Sequence, residues 1–229
     1  CNLSRYAAQR EMYLSADGST VTILSPVYHN KERMKYTMAL NLDVTDPEKV
    51  TEVSRMYVVG NYLSSRIIDG SLYIINQYIP NDMDFDDPFT FVPYYGTPED
   101  KHSVPMDSIH YPEKLTNSCY TVISKLNGET LEIVDTAAYL SYSTEVYVSR
   151  DSIYLTRTFT DTVKDGKKTT QTVKTELSRL RYDGKKLENK GSTIIDGRIL
   201  NQYSMDQQEE ILRVVTTIDS DTYRETSDG

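Results

Sequence analysis

Two series of tight-turn signals recur along this chain in matching steps, and few folds are open to a chain with that rhythm. In the first series a short polar turn separates two strand-like runs. Asp17-Gly18 lies between Arg10–Ser15 and Thr20–Leu24, and Asp69-Gly70 between Leu63–Ile68 and Leu72–Gln77. Asp151-Ser152 lies between Val146–Arg150 and Ile153–Phe159, and Gln207-Gln208 between Leu200–Met205 and Ile211–Thr216. Asp-Gly suits such a tip because a tight hairpin turn needs a positive φ, which glycine adopts without strain. The second series, Asp46-Pro47, Asn127-Gly128 and Asp183-Gly184, follows with a larger swing. Pro47 pre-sets φ for a turn and has no place in a central strand.

The steps of the two series agree. Asp69 to Asp151 spans 82 residues and Asp46 to Asn127 spans 81, while Asp151 to Gln208 spans 57 and Asn127 to Asp183 spans 56. Asp17 to Asp69 spans 52. A single insertion of about 25–30 residues between Asp69 and Asn127 accounts for the long step. Six of the eight prolines sit in residues 80–112: Pro80, Pro88, Pro93, Pro98, Pro105 and Pro112. Strand ladders do not tolerate that density, so this segment reads as a long irregular loop or flap. Loops of that length are usually functional or mobile.

Between the turns, period-2 alternation dominates. Tyr36, Met38, Leu40, Leu42 and Val44 alternate with Thr37, Ala39, Asn41 and Asp43, the pattern of a strand with one buried face. Tyr120, Val122 and Leu126 repeat it, as do Ile153 and Leu155. No segment carries a helical stripe, and Glu209–Val215 reads as strand from its branched aliphatic content. Four strands in roughly 50–57 residues is the size of a propeller blade. The expected fold is therefore all-β, a β-propeller of four-stranded antiparallel blades over residues 1–229. Three full repeats and a flanking hairpin are visible, a partial propeller of three to four blades. Since a ring takes about 4–8 blades, either further segments complete it or the fold stays open.

Composition narrows the function. A hydrophobic fraction of 38% is low for a globular chain and fits a repeat architecture that buries thin layers. The 19 Tyr, 4 Phe and absent Trp suit half-buried strands and speak against propellers whose repeat signature needs a Trp-Asp pair. A net charge of −9 excludes a sequence-independent nucleic-acid binder, which needs a basic patch. Two cysteines, Cys1 and Cys119, exclude a disulfide framework or zinc site as the organising principle. No apolar run reaches about 18 residues, so no membrane-spanning helix is expected. Cys1 reads either as the lipid-bearing residue of a processed lipoprotein or as a boundary of the fragment.

Several stretches together resemble one family. They are Gly197-Arg198-Ile199-Leu200-Asn201-Gln202-Tyr203-Ser204-Met205-Asp206 with Leu212–Thr217, Leu42–Lys49, Tyr62–Gly70, Ile109–Pro112 and Val146–Arg150. The family is the prokaryotic secreted proteins with a C-terminal β-propeller distantly related to WD-40 repeats. The similarity runs in order from about residue 10 to 217, and departs at Gln207-Gln208, where the family tends to an acidic-aromatic pair. The resemblance implies an extracytoplasmic, often cell-surface location and a propeller continuing on both sides of this chain. It brings no established enzymatic activity.

The remaining constellations are sparse. Asp82, Asp84, Asp86 and Asp87 form an acidic string, but EF-hand positions six and twelve hold Asp87 and Pro93. The string reads as a solvated loop, with a non-EF calcium site as the sharper alternative and no other cofactor expected. His29, His102 and His110 lack metal-ligand spacing, and neither a nucleophile elbow nor a glycine-rich phosphate cradle occurs. Arg66, Arg150 and Arg213 sit in equivalent hairpins but not at equivalent positions, which favours local hydrogen bonding over a shared anion site. The sequon Asn2-Leu3-Ser4 is uninformative by itself. The leading expectation is a non-enzymatic extracytoplasmic module that binds a protein, peptide or polysaccharide at the cell surface. Its contact surface is an exposed patch at Phe89, Phe91, Tyr94 and Tyr95 of the insertion. The alternatives are a hydrolase or lyase with an acidic or calcium-assisted channel site, and a purely structural domain of a larger surface protein.

Overall fold

The computed structural model describes residues 11–81, 83–97, 99–112, 115, 117–183 and 186–224. Cys1, the Asn2-Leu3-Ser4 sequon, Arg10, Asp82, Pro98 and Gly184 lie outside them. The first blade is β1 (Glu11–Leu14), β2 (Thr20–His29), β3 (Met34–Asp43) and β4 (Thr51–Val59), paired in that order. The second opens with β5 (Asn61–Ile68) and β6 (Ser71–Tyr78). The chain then leaves the blade for β7 (Tyr94–Thr97), β8 (Asp100–Ser103) and β9 (Ile109–His110), and returns with β10 (Tyr120–Asn127) and β11 (Ile133–Tyr139). The third blade is β12 (Glu145–Val148), β13 (Ser152–Asp165), β14 (Lys168–Asp183) and β15 (Lys186–Asp196). A fourth element follows: β16 (Arg198–Ile199), β17 (Met205–Gln208), β18 (Ile211–Val214), β19 (Thr216–Thr217) and β20 (Ser220–Arg224). Two compact units result, the first reaching Tyr142 and the second beginning at Ser143, with the short segment at Leu187 grouped with the first.

The Asp-Gly tips lie where the turn chemistry puts them, with Gly18 and Gly70 both at φ 73 between β1 and β2 and between β5 and β6. The last hairpin differs from its sequence reading. Gln207 and Gln208 are strand residues of β17, and the turn falls at Glu209-Glu210, with Glu209 at φ 54. The displacement follows from Asn201, whose side chain accepts from the Tyr203 amide and caps a short 3-10 turn over Gln202–Ser204, delaying the strand. The reading of residues 80–112 as irregular also needs correction. The β7–β8 hairpin extends the first blade's sheet through Val58 opposite Tyr95, and β9 runs parallel to β11. The described prolines fall outside these strands, which is how the segment tolerates them. Pro88 opens a 3-10 turn, Pro93 precedes β7, and Pro105 precedes a second 3-10 turn.

β3 was expected to bury one face, but both faces are covered, since Thr37, Ala39 and Asn41 are as fully buried as Met38 and Leu40. One core packs Leu24, Tyr36, Val58 and Val59 of the first blade against Leu72, Ile74, Val122 and Ala138 of the second. Ile23, Met38, Leu40 and Leu42 form a separate cluster with Val21, Val27 and Tyr57. A strand buried on both faces must satisfy its polar side chains inside, and two asparagines do so. Asn41 Oδ1 accepts from Thr22 Oγ1 at 2.7 Å, while its Nδ2 donates to the carbonyls of Gly128 and Glu129 at 3.0 and 2.9 Å. Asn76 Oδ1 accepts from Thr37 Oγ1 at 2.9 Å, and its Nδ2 donates to the Val58 and Val59 carbonyls at 3.1 Å each. These amides pin the second blade to the first with directional bonds where apolar packing alone would permit slip.

The pin repeats in part. Thr37 in β3, Thr121 in β10 and Thr175 in β14 are all fully buried third-strand residues. Thr121 donates to the Ser141 carbonyl at 2.9 Å and Thr175 to the Gly197 carbonyl at 2.7 Å. The residue leaving the fourth strand is glycine in the first and third blades. Gly60 has φ +106, and a Cβ there would lie 2.6 Å from the Gln77 carbonyl oxygen. Gly197 has φ +88, with the Thr217 carbonyl oxygen 2.5 Å from the same position. Both sites demand glycine for backbone conformation and for close approach. In the second unit, Tyr154, Leu177, Ile199 and Met205 form one core cluster. Gln207 joins them through its side chain, accepting from Tyr154 Oη at 3.0 Å and donating to Asp151 Oδ1 at 2.9 Å.

Candidate functional site

The first unit holds a cavity of about 700 Å³ whose wall comes from four separate stretches of chain. Tyr28, Glu32, Arg33, Met34 and Lys35 contribute from the end of β2, the turn after it and the start of β3. Gly60 and Asn61 come from the junction of the first two blades, and Gln77, Tyr78 and Ile79 from the end of β6. The insertion supplies Asn81, Asp87, Phe89, Thr90, Tyr94 and Lys101. Its role is thus to wall a concave site, which replaces the expected exposed patch. Tyr94 is 1% exposed, and Phe89 and Phe91 are half-buried against the main core. Tyr95 is also half-buried, its ring stacked 5.5 Å from that of His102. The physical reason is that β7 pairs with β4 and turns Tyr94 inward. Of the four candidates, Phe89 and Tyr94 line the cavity.

Aromatic contacts support the wall. Tyr94 meets Tyr36, Tyr78 and Phe89 edge-on at centroid distances of 6.0, 6.3 and 5.5 Å, and Tyr78 stacks on Tyr120 at 6.0 Å. Each such pair is worth about 0.5–1.5 kcal/mol beyond area burial. Their hydroxyls need partners inside, and Glu32 anchors them. Tyr36 donates to Glu32 Oε2, so its oxygen accepts from the Tyr94 hydroxyl at 2.8 Å. Lys101 Nζ lies 2.6 Å from Glu32 Oε1, and also 5.0 Å from the Tyr94 ring centroid and 5.6 Å from that of Phe89. This ion pair fastens the β7–β8 hairpin to the first blade.

The electrostatics follow from these partners. Burial pushes the Glu32 carboxyl up, but hydrogen bonds from Lys101 and Tyr36 and the charge of Lys101 outweigh it and hold it below its ordinary value. Burial, then the hydrogen bonds with Glu32 and Tyr94, raises the Tyr36 phenol far above its ordinary value. Burial raises Tyr94 to about 12 despite the lowering effect of its bond with Tyr36. Glu32 is therefore a fixed anion, the opposite of a proton donor tuned for acid catalysis. Asp87 Oδ1 accepts from the Phe89 amide at 3.0 Å. Gln77 is 8% exposed, and its Nε2 is buried without a hydrogen-bond partner among the described residues.

The other sequence candidates are engaged locally. Asp84 accepts from the Asp86 amide at 3.0 Å, a turn contact rather than a coordination shell. Among the described residues no group of three His, Cys, Asp or Glu side chains is placed to hold a metal. Arg66 donates to the Ser65 carbonyl at 2.9 Å, and Arg213 donates to Gln208 at 2.7 Å and pairs with Asp206 at 3.5 Å. Among the described residues no helix is long and apolar enough to cross a membrane.

Sequence reasoning missed Glu32, Gln77, Tyr78 and Lys101. The available signal was Gly60, a glycine directly after the apolar run Tyr57-Val58-Val59, which marks a close backbone approach between two blades.

Successive four-stranded antiparallel sheets joined through glycine junctions, with a side cavity walled by an inserted hairpin, define a β-propeller scaffold of the kind that serves interaction or structural roles. A protein-family model described as Beta propeller domain matches residues 2–229, and the chain belongs to that family. No curated protein matches it.

Proposed function

We propose that this chain is a non-enzymatic binding module that acts outside the cytoplasm, at the cell surface, and holds a ligand in the cavity between its first two blades and the inserted hairpin. One observation carries this reading: four distant stretches converge on a concave, mixed aromatic and polar space of about 700 Å³. Ligand sites typically occupy about 300–1,000 Å³ and combine apolar walls with a few placed polar groups. The fixed ionisation of Glu32 favours holding a ligand over protonating one. The surface location rests on the resemblance to secreted propeller proteins. Retention of cell-envelope polysaccharide and peptide fractions by the immobilised chain tests the proposal. Asn61 lines the cavity and is exposed, so Asn61→Trp fills the space at little cost to the core. The expected result is retention by the wild type, loss in Asn61→Trp at unchanged melting temperature, and release of bound material at its original length. Retention indifferent to Asn61→Trp, or shortened material, would overturn the proposal. Deleting 82–100 is a poorer test, because it removes Tyr94 from the core.

A further inference from the structure

We infer that the cavity takes an acidic saccharide, one whose sugar units carry carboxylates, an inference that rests on the cavity being a binding site. Charge is the first argument. In a chain of net charge −9, the lining brings together Arg33, Lys35 and Lys101 against Glu32 and Asp87. Glu32 is committed within the protein to Lys101 and Tyr36, whereas Asp87 accepts from the Phe89 amide and keeps its charge, which leaves the lining with one more cation than anion. Lys35 is exposed, so the mouth presents a cation beside a Glu32 already engaged by Lys101.

Hydroxyl-rich ligands need matching donors and acceptors, and the wall supplies the side-chain amides of Asn61, Gln77 and Asn81. The buried Gln77 Nε2 has no acceptor among the described residues, and rotation of its amide toward the cavity gives a ligand oxygen that role. An unsatisfied buried donor costs about 1–3 kcal/mol, which ligand binding recovers. Tyr28 is 51% exposed and offers a ring face at the rim to the apolar face of a sugar. A peptide is less well matched. Extended peptides dock by adding a strand to an open sheet edge. β3 and β6 have no open edge, since β3 pairs with β2 and β4, and β6 with β5 and β10, while β2, β5 and β8 each reach the cavity through a single residue, Tyr28, Asn61 and Lys101.

Calorimetric titration of the chain with galacturonate, glucuronate and mannuronate trimers tests this. Each trimer is paired with its carboxyl-reduced neutral counterpart, and an acidic peptide of equal charge serves as a third arm. At least one uronate trimer is expected to bind at least about tenfold more tightly than its neutral counterpart and than the peptide, as charge-assisted hydrogen bonds require. Lys35→Glu should weaken that binding by about tenfold or more, and added salt should weaken it further. Equal binding of acidic and neutral trimers overturns the inference, as does tighter binding of the peptide. Failure of every uronate to bind also overturns it. If envelope fractions are still retained in an Asn61-sensitive way, the binding function stands with a different ligand, whereas loss of both removes the function as well.

Discussion

Replacing Asn76 with alanine removes three hydrogen bonds from a position with no solvent exposure: one from Thr37 and two to the carbonyls of Val58 and Val59. At a net value of about 1 kcal/mol each, their loss costs ~3 kcal/mol. The Thr37 hydroxyl, left without its acceptor at a fully buried site, brings the expected total to about 3–4 kcal/mol. In a chain of this size each kcal/mol lowers Tm by about 2–4 °C, so the variant should melt ~6–16 °C lower. Urea unfolding followed by far-UV circular dichroism should show the midpoint falling with the slope unchanged, because the surface exposed on unfolding is the same. Thr37→Val keeps the shape, removes the donor, and should cost about 1–2 kcal/mol. Because the two side chains share one bond, the double variant should fall short of additivity by at least ~0.5 kcal/mol. A loss below about 1 kcal/mol for Asn76→Ala, at an unchanged slope, would refute the idea that buried amides pin one blade to the next.

The glycine junctions and the titrating groups give further tests by thermal melts and spectroscopy. Gly60→Ala and Gly197→Ala should each cost at least ~1–3 kcal/mol, since both combine positive φ with a carbonyl oxygen in the path of the Cβ. Gly18→Ala, where nothing lies within 4 Å, should cost only the backbone strain and melt higher than either. Glu32 and Asp151 are held below their ordinary values of 4.5 and 3.8; in both, burial opposes the shift and hydrogen bonds and neighbouring cations outweigh it. A depressed folded pKa stabilises fully above the unfolded value and loses that contribution as pH falls through the folded one. Melting temperature should therefore drop on acidification below about pH 4.5, and Lys101→Met, which removes the partner of Glu32, should flatten that drop. Tyr62, Tyr73 and Tyr94 are raised to about 12, chiefly by burial, so their phenolate absorbance should develop well after that of the exposed tyrosines.

Much of the blade pattern could be read from the sequence because turns are local. Asp17-Gly18, Asp69-Gly70 and Asn127-Gly128 announce themselves within two residues, and each closes a hairpin in the structure. The cavity could not be read that way. Glu32 and Lys101 meet because β7–β8 folds back on the first blade, and nothing near either residue signals the other. The aromatic run Phe89–Tyr95 misled for a related reason. A proline-rich segment dense in rings looks exposed, yet the pairing of Tyr95 with Val58 directs Tyr94 into the core. Asn41 and Asn76 resemble the polar positions of an alternating strand, and only the second blade stacked on the first explains why they are buried.

A crystal structure of the chain with the tightest-binding uronate trimer tests the central claim most directly. Sugar is expected between Tyr28 and the end of β6, with a carboxylate within hydrogen-bond reach of Lys35 and the Gln77 amide turned toward a ligand oxygen. Sugar bound on any other surface, or an unchanged cavity at saturating ligand, would contradict it.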